Sequence, residues 1–247
     1  MSFRNPAEFE QDLDALEEVE RATARLLAAA VYNLLDDAAY QFEHKQVVQG
    51  QTDYSDLANY VGEDITRMAL DAIGPPKVPG GRLFGAIDYK QAALQFLPNF
   101  AVRQALFVDS KAEKDALNNA RIQVTQTSLE IRQERGGEIL AIQGRVEPIW
   151  NSPNGDPYLT TTCFVKYHYS GDSGDSKLRQ ITTIILPNRF LQSRYNPSAS
   201  DSIWNVGPDA PRRGEKFRTR LNLTKLEMKA RWRIQRMKPS SPWSFEE

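Results

Sequence analysis

Two segments decide how this chain folds: LFGAIDYK, residues 83–90, and ALFVDSKA, residues 105–112. In each, a compact apolar run leads into an aspartate, and 20 residues separate Asp88 from Asp109. In a strand, side chains two positions apart share a face. Asp109 and Lys111 therefore project together, and Asp88 reaches them from a neighbouring strand. The pattern predicts strands at about 83–89 and 103–110 with a polar-aromatic loop between them. Two carboxylates and one ammonium then meet at the edge of an apolar sheet.

That set of groups suits Mg²⁺-assisted cleavage of a phosphodiester. Mg²⁺ prefers oxygen ligands and is usually held by one or two carboxylates plus phosphate and water. It polarises a phosphoryl oxygen and makes a bound water more acidic. A lysine adds compact positive charge beside the charge that builds up in the transition state. The backbone carbonyl of Ser110 is a further candidate ligand for the metal.

The spacing alone is not selective. About one Asp-x-Lys is expected by chance in a chain of this length, and a second occurs at Asp175 and Lys177. That one sits in GDSGDS, a turn composition. Glu43 with Lys45 follows a helical pattern, and Glu227 with Lys229 lies in a charge-rich stretch. Only Asp109 follows a compact apolar run with an aspartate-ended strand upstream. From the residues alone, a surface ion pair and a catalytic pair are equally good readings.

The chain has 247 residues, 40% hydrophobic, enough for one large globular domain or two small ones. One cysteine, Cys163, excludes a disulfide framework, and its strand-like surroundings mark it as a core thiol. The two histidines, His44 and His168, are too few for a histidine-rich metal site. The polar, acidic start is no signal peptide, and no apolar run approaches the length of a membrane span. The chain reads as soluble and intracellular, without a membrane partner.

A formal net charge of -1 hides segregation: residues 1–74 carry a balance of -10 and residues 177–238 one of +11. Arginine outnumbers lysine in the basic stretch, 10 to 5. Arginine suits forked contacts with phosphates and guanine edges, so the stretch reads as a polyanion-binding surface. The competing reading is neutralisation by the acidic N-terminal helices.

Residues 6–45 show helical spacing in one long helix or two consecutive ones, and a further helix spans about 54–73, capped by Asp53 or Ser55 and stopped by Gly74 and two prolines. Residues 138–149, 159–169 and 178–187 read as three long strands, the last two joined as a hairpin through GDSGDS. Residues 189–214 are irregular. RGEKFRTRLNL then alternates strictly, with Arg218, Arg220 and Asn222 on one face. Thr224 and Glu227 suggest a capping box, and ARWRIQRM a final strand. Tyr195 and Trp204 read as core aromatics. The whole is one α/β domain over 1–247, with a helical part at 1–74, a catalytic core at 83–126 and a sheet and binding part at 138–237.

The chain resembles the SfiI-type restriction endonucleases, a branch of the PD-(D/E)xK nuclease superfamily. The likeness rests on GEDITRMAL at 62–70, GRLFGAIDYK at 81–90, LFVDSKA at 106–112, NNARIQVTQ at 118–126, and SRYNP followed by RRGEKFRTR at 193–220. Ile87 stands where many superfamily members have proline, as in this branch. The resemblance implies a mixed central sheet of the restriction-endonuclease type, with N-terminal helices and an added antiparallel hairpin. It places Asp88, Asp109 and Lys111 in the nuclease motif, and makes Glu63 a candidate carboxylate at the metal. It implies Mg²⁺-dependent cutting of both strands of duplex DNA at an interrupted, GC-rich palindrome, leaving 5′-phosphate and 3′-hydroxyl ends, by a homodimer or homotetramer.

Candidate DNA contacts follow from residue type. Asn118, Gln123 and Gln126 suit adenine edges and Arg121 guanine edges. Lys114 suits a phosphate. Arg212, Arg213, Lys216, Arg218 and Arg220 form the densest basic group, although arginines also protect exposed strand edges. Two other functions share these residues: a structure-selective repair or junction nuclease, and a DNA-binding protein without catalysis.

Overall fold

The computed structural model describes residues 3–44, 54–73, 91–114, 118–171, 176–205 and 217–247. The predicted strand at 83–89, the residues expected to cap and stop the 54–73 helix, Asp88, Arg212, Arg213 and Lys216 lie outside them.

The N-terminal helical pattern resolves into a short 3-10 turn at Pro6–Glu10, α1 at Leu13–Tyr32 and α2 at Leu35–His44. Asp12 caps α1 by accepting from the Ala15 amide at 3.1 Å. α3 spans Tyr54–Ile73, the bounds expected from its apolar stripe. At Gly62 a Cβ would lie 2.9 Å from the Tyr167 ring, so only glycine lets the helix lie this close to the sheet. One turn on, Thr66 shares a 2.9 Å hydrogen bond with the Tyr167 hydroxyl.

The main sheet runs in the order β1 (Gln91–Leu97), β2 (Val102–Glu113), β7 (Pro157–Ser170), β8 (Lys177–Leu186), β11 (Ile234–Met237), with β6 (Ile149–Asn151) also paired to β7. β2 and β7 are parallel and the other pairs antiparallel, so the sheet is mixed. A second sheet joins β3 (Asn119–Gln123), β10 (Arg218–Asn222) and β9 (Trp204–Asn205). β4 (Ile131–Arg135) and β5 (Glu138–Ile142) form a hairpin that turns through Gly136 and Gly137, both at positive φ. The short helices α4 (Gln192–Tyr195) and α5 (Leu223–Lys229) complete the fold.

Alternation along β2 divides the core. Ala105 and Phe107 join the side that packs with β3, β4 and β10. Leu106 and Val108 join the side covered by α1, α2 and α3. Cys163 is fully buried on that helical side, and burial pushes its thiol well up from the ordinary value.

Three expectations change. Residues 91–97 form a strand rather than loop, antiparallel to β2. Their glutamines disguised it, yet Gln95 donates to Gln104, which lies fully buried and donates to Thr23 at 2.9 Å and Thr161 at 2.7 Å. Residues 138–149 are two strands, not one. Between them Gly144, Arg145 and Val146 bond to the carbonyls of Leu129, Val124 and Thr127, and a Cβ at Gly144 would meet the Thr127 oxygen at 2.3 Å. The cap of α5 is Asn222, accepting from Lys225 N at 3.0 Å, rather than Thr224. Glu227 instead takes a two-pronged pair from Arg236 at 2.8 and 2.9 Å.

Candidate active site

The C-terminal end of β2 opens into a cavity of about 560 Å³. β2 lines it with Asp109, Ser110, Lys111, Ala112 and Glu113, α3 with Asn59 and Glu63, and the second sheet with Asn119, Arg121, Gln123 and Arg220. The β2 contribution follows from strand period. Asp109, Lys111 and Glu113 stand on one face and Ser110 and Ala112 on the other, and at a strand end both faces reach the opening. Asn59 and Glu63 lie one turn apart on α3, held there by the close approach at Gly62.

Lys111 donates to Asp109 Oδ2 at 3.0 Å. The same oxygen accepts from Gln126 Nε2 at 2.8 Å. Gln126 Oε1 accepts from Lys111 Nζ at 3.4 Å and from the Gln123 amide at 3.2 Å. The ammonium also stands 5.0 Å from the centre of the Phe164 ring, which floors the site. Asp109 is 6% exposed, while Lys111 is half-buried.

Both hydrogen bonds to the Asp109 carboxylate among the described residues fall on Oδ2, leaving Oδ1 for a cation. The Ser110 carbonyl is on the adjacent residue, and Glu63 lines the same cavity. These are hard oxygen donors of the kind Mg²⁺ takes; Asp88, the expected partner carboxylate, lies outside the described residues. Among the described residues themselves no three His, Cys, Asp or Glu side chains converge on one point.

The expected DNA contacts separate. Lys114, Arg121, Gln123 and Arg220 line the cavity. Arg121 and Arg220 are direct partners across β3 and β10, and Gln123 opposes Arg218. The alternation read at 217–222 is present, with Thr219 and Leu221 buried beneath Arg218 and Arg220. Asn118 is exposed before β3 but outside the cavity lining, where its neighbour Asn119 stands instead. Gln126 lines the cavity too; it is 3% exposed and hydrogen-bonded to Asp109 and Lys111. The short 3-10 turn at Val124–Gln126 that follows β3 rolls its side chain inward.

Lys166 went unnoticed in the sequence. It is Lys111's register partner on β7 and is 1% exposed. It pairs with Glu113 at 2.9 Å and donates to the Asn119 carbonyl, tying β7, β2 and β3 together. Burial draws its pKa down, and the Glu113 carboxylate partly restores it. The Asp-x-Lys-x-Glu spacing at 109–113 is the one signal that points to Glu113, and no pattern in the sequence points to its buried partner.

Part of the charge segregation is internal. Glu20 and Arg233 are both fully buried and meet at 2.6 Å, and Arg194 reaches Asp14 at 2.8 Å and Glu17 at 2.9 Å. Tyr195 and Trp204 are core aromatics as expected. Burial, with the Glu17 carboxylate accepting its hydroxyl, leaves the Tyr195 phenol pushed up to about 12 despite nearby Arg233. Among the described residues no helix is long and apolar enough to cross a membrane.

The family profile described as Type II restriction enzyme SfiI matches residues 18–237. Type II restriction enzyme SfiI of Streptomyces fimbriatus is 30% identical over 238 residues, covering 92% of this chain and 86% of that protein. The crystal structure of tetrameric SfiI bound to cognate DNA superposes with a TM-score of 0.77 over the same shares of the two chains. That of the restriction endonuclease BglI, bound to its DNA recognition sequence, gives 0.75 at 15% identity over 96% of this chain and 95% of BglI, a likeness of fold. With the strand-end pair at Asp109 and Lys111 opening beside a basic sheet, the chain belongs to the SfiI family of type II restriction endonucleases, enzymes that cleave DNA at specific sites.

Proposed function

We propose that this endonuclease hydrolyses both strands of an interrupted, GC-rich palindrome in a Mg²⁺-dependent reaction, leaving 5′-phosphate and 3′-hydroxyl ends. Enzymes of this type work with a divalent metal. The observation that carries the reading is the 3.0 Å Lys111–Asp109 contact in a cavity walled on one side by Arg121 and Arg220.

Asp109, with Asp88, the Ser110 carbonyl and Glu63, would hold the ion. When bound, Mg²⁺ polarises the phosphoryl group and renders a nearby water more acidic. Lys111 faces the negative charge that develops on the phosphoryl oxygens as water attacks and the bond to O3′ breaks. Two of its three N–H donors meet Asp109 and Gln126, and the third remains for phosphate or the incoming water. The proton shed by the water passes to solvent, and the departing O3′ takes one up.

Arg121, Gln123, Arg218 and Arg220, with Lys114 and Asn118 at the rim, would seat the duplex. Arg212, Arg213 and Lys216, outside the described residues, would add positive charge for the phosphates. A homodimer, alone or paired into a tetramer, matches a twofold-symmetric site.

Digestion of plasmid DNA tests the reading. Discrete fragments with Mg²⁺ and none with EDTA are expected. Sequencing their ends gives the site and cut position. A smear, or cutting confined to branched substrates, would overturn sequence-specific cleavage.

A further inference from the structure

We infer that Gln126 is a positioning residue that makes strand cleavage depend on how the β3–β10 sheet is seated on DNA. The inference rests on Asp109 and Lys111 being the reacting pair.

Gln126 touches every party to that dependence. Its Nε2 fixes Asp109 Oδ2 at 2.8 Å, so the carboxylate cannot rotate without losing that bond. Its Oε1 helps hold the Lys111 ammonium and also accepts from the Gln123 main-chain amide at 3.2 Å. Gln123 is the last residue of β3, and its strand partner on β10 is Arg218. A shift of the arginine-bearing sheet therefore moves the peptide that holds Gln126. The side-chain amide passes the shift to both catalytic groups, because the Oε1 that accepts from Gln123 also accepts from Lys111 while Nε2 donates to Asp109.

The rest of the turn is braced so that little else can absorb such motion. Val124, Thr125 and Gln126 are all buried. Val124 N donates to the Phe217 carbonyl, just ahead of β10, at 3.3 Å, and Arg145 N donates to the Val124 carbonyl at 2.8 Å. At 3% exposure Gln126 is poorly placed to read a base itself. Its effect falls on alignment of the reacting groups, where an error of a fraction of an ångström is costly.

The test uses the full chain and the site defined by sequencing plasmid fragment ends. Gln126→Met keeps the length and removes both hydrogen-bonding functions. Gln126→Glu keeps an acceptor for Lys111 and Gln123 and removes the donor to Asp109, so it serves if the methionine variant folds poorly. Equilibrium binding is measured with Ca²⁺ in place of Mg²⁺, and single-turnover cleavage with Mg²⁺, on the cognate site and on one carrying a single base-pair change. Binding within about threefold of wild type and cognate cleavage slowed by about 100-fold are expected. The cognate-to-altered rate ratio should fall by about tenfold. Wild-type cleavage, a matching loss of binding and rate, or an unchanged ratio would each overturn the coupling. Asp109→Asn run alongside separates two failures. If it cleaves normally, the reading of the site is wrong; if it is inactive while Gln126→Met behaves as wild type, only the role of Gln126 is.

Discussion

Asp109–Lys111 and Glu20–Arg233 are both acid–base pairs, and the fold uses them in opposite ways. Glu20 and Arg233 are sealed from solvent. The Asn188 amide donates to the second oxygen of Glu20 at 2.8 Å, and the Tyr195 and Trp232 rings lie 4.3 and 4.2 Å from the guanidinium. Burial pushes the Glu20 carboxyl above its ordinary value even though Arg233 opposes the shift. Asp109 and Lys111 lie at the mouth of a cavity, with one carboxylate oxygen and one ammonium N–H outside their mutual network. An enclosed pair is cut off from any ligand and can serve only architecture, although the buried Arg233 leaves its Nε and Nη1 without hydrogen-bond partners among the described residues. A pair at a strand end retains capacity for a substrate. Access to the cavity, rather than residue type, separates them.

The sharpest way to break the comparison is Asp109→Asn. Cleavage should fall by about 1,000-fold or more, while site-specific binding persists. A plasmid assay beside a binding titration checks this, and retained cleavage would show that the pair is structural after all. Glu20→Gln should do the reverse. It leaves Arg233 buried without its counter-charge and costs about 3–5 kcal/mol of stability, with unchanged activity per folded molecule. Urea unfolding gives the size, and joint replacement by Glu20→Leu and Arg233→Met should recover most of the loss.

Gly62→Ala tests the scaffold between the two sites. The added Cβ has no room beside Tyr167. α3 must shift, at about 1–3 kcal/mol, carrying Asn59 and Glu63 off the cavity wall; thermal melts and cleavage rates should fall together. The smallest effect belongs to Glu227, whose carboxyl the Arg236 guanidinium holds below its ordinary 4.5. Its stabilisation is complete above that value and is lost as pH falls through the lower folded value. Glu227→Gln should therefore flatten the decline of melting temperature below about pH 4.5, with less than about 1 kcal/mol at stake because the pair is partly exposed.

Patterns with a regular period were legible in the sequence. The stripe of α3 gave its bounds. The apolar run ending at Asp109 gave β2, and GDSGDS gave the β7–β8 hairpin. Alternation at 217–222 gave the exposed face of β10. Features that depend on distant partners were not legible. β1 carries glutamines and reads as loop until Gln104 is seen to accept from Gln95. Gly144 breaks the 138–149 run only because the 127–129 backbone lies against it. Gln126 looks like a base reader until the turn points it at Asp109. Residue type named the acid and the base, but only three-dimensional placement exposed the glutamine between them.

The Glu20–Arg233 contact spans 213 positions of sequence. α1 emerges from the ribosome 213 residues ahead of the counter-ion that lets its Glu20 leave water. Until Arg233 arrives, an ionised Glu20 is better solvated than buried, so the helix docks against an unfinished sheet only at a cost. Assembly order is thereby biased: the helical layer closes over the sheet only after the segment that carries Arg233 has been made.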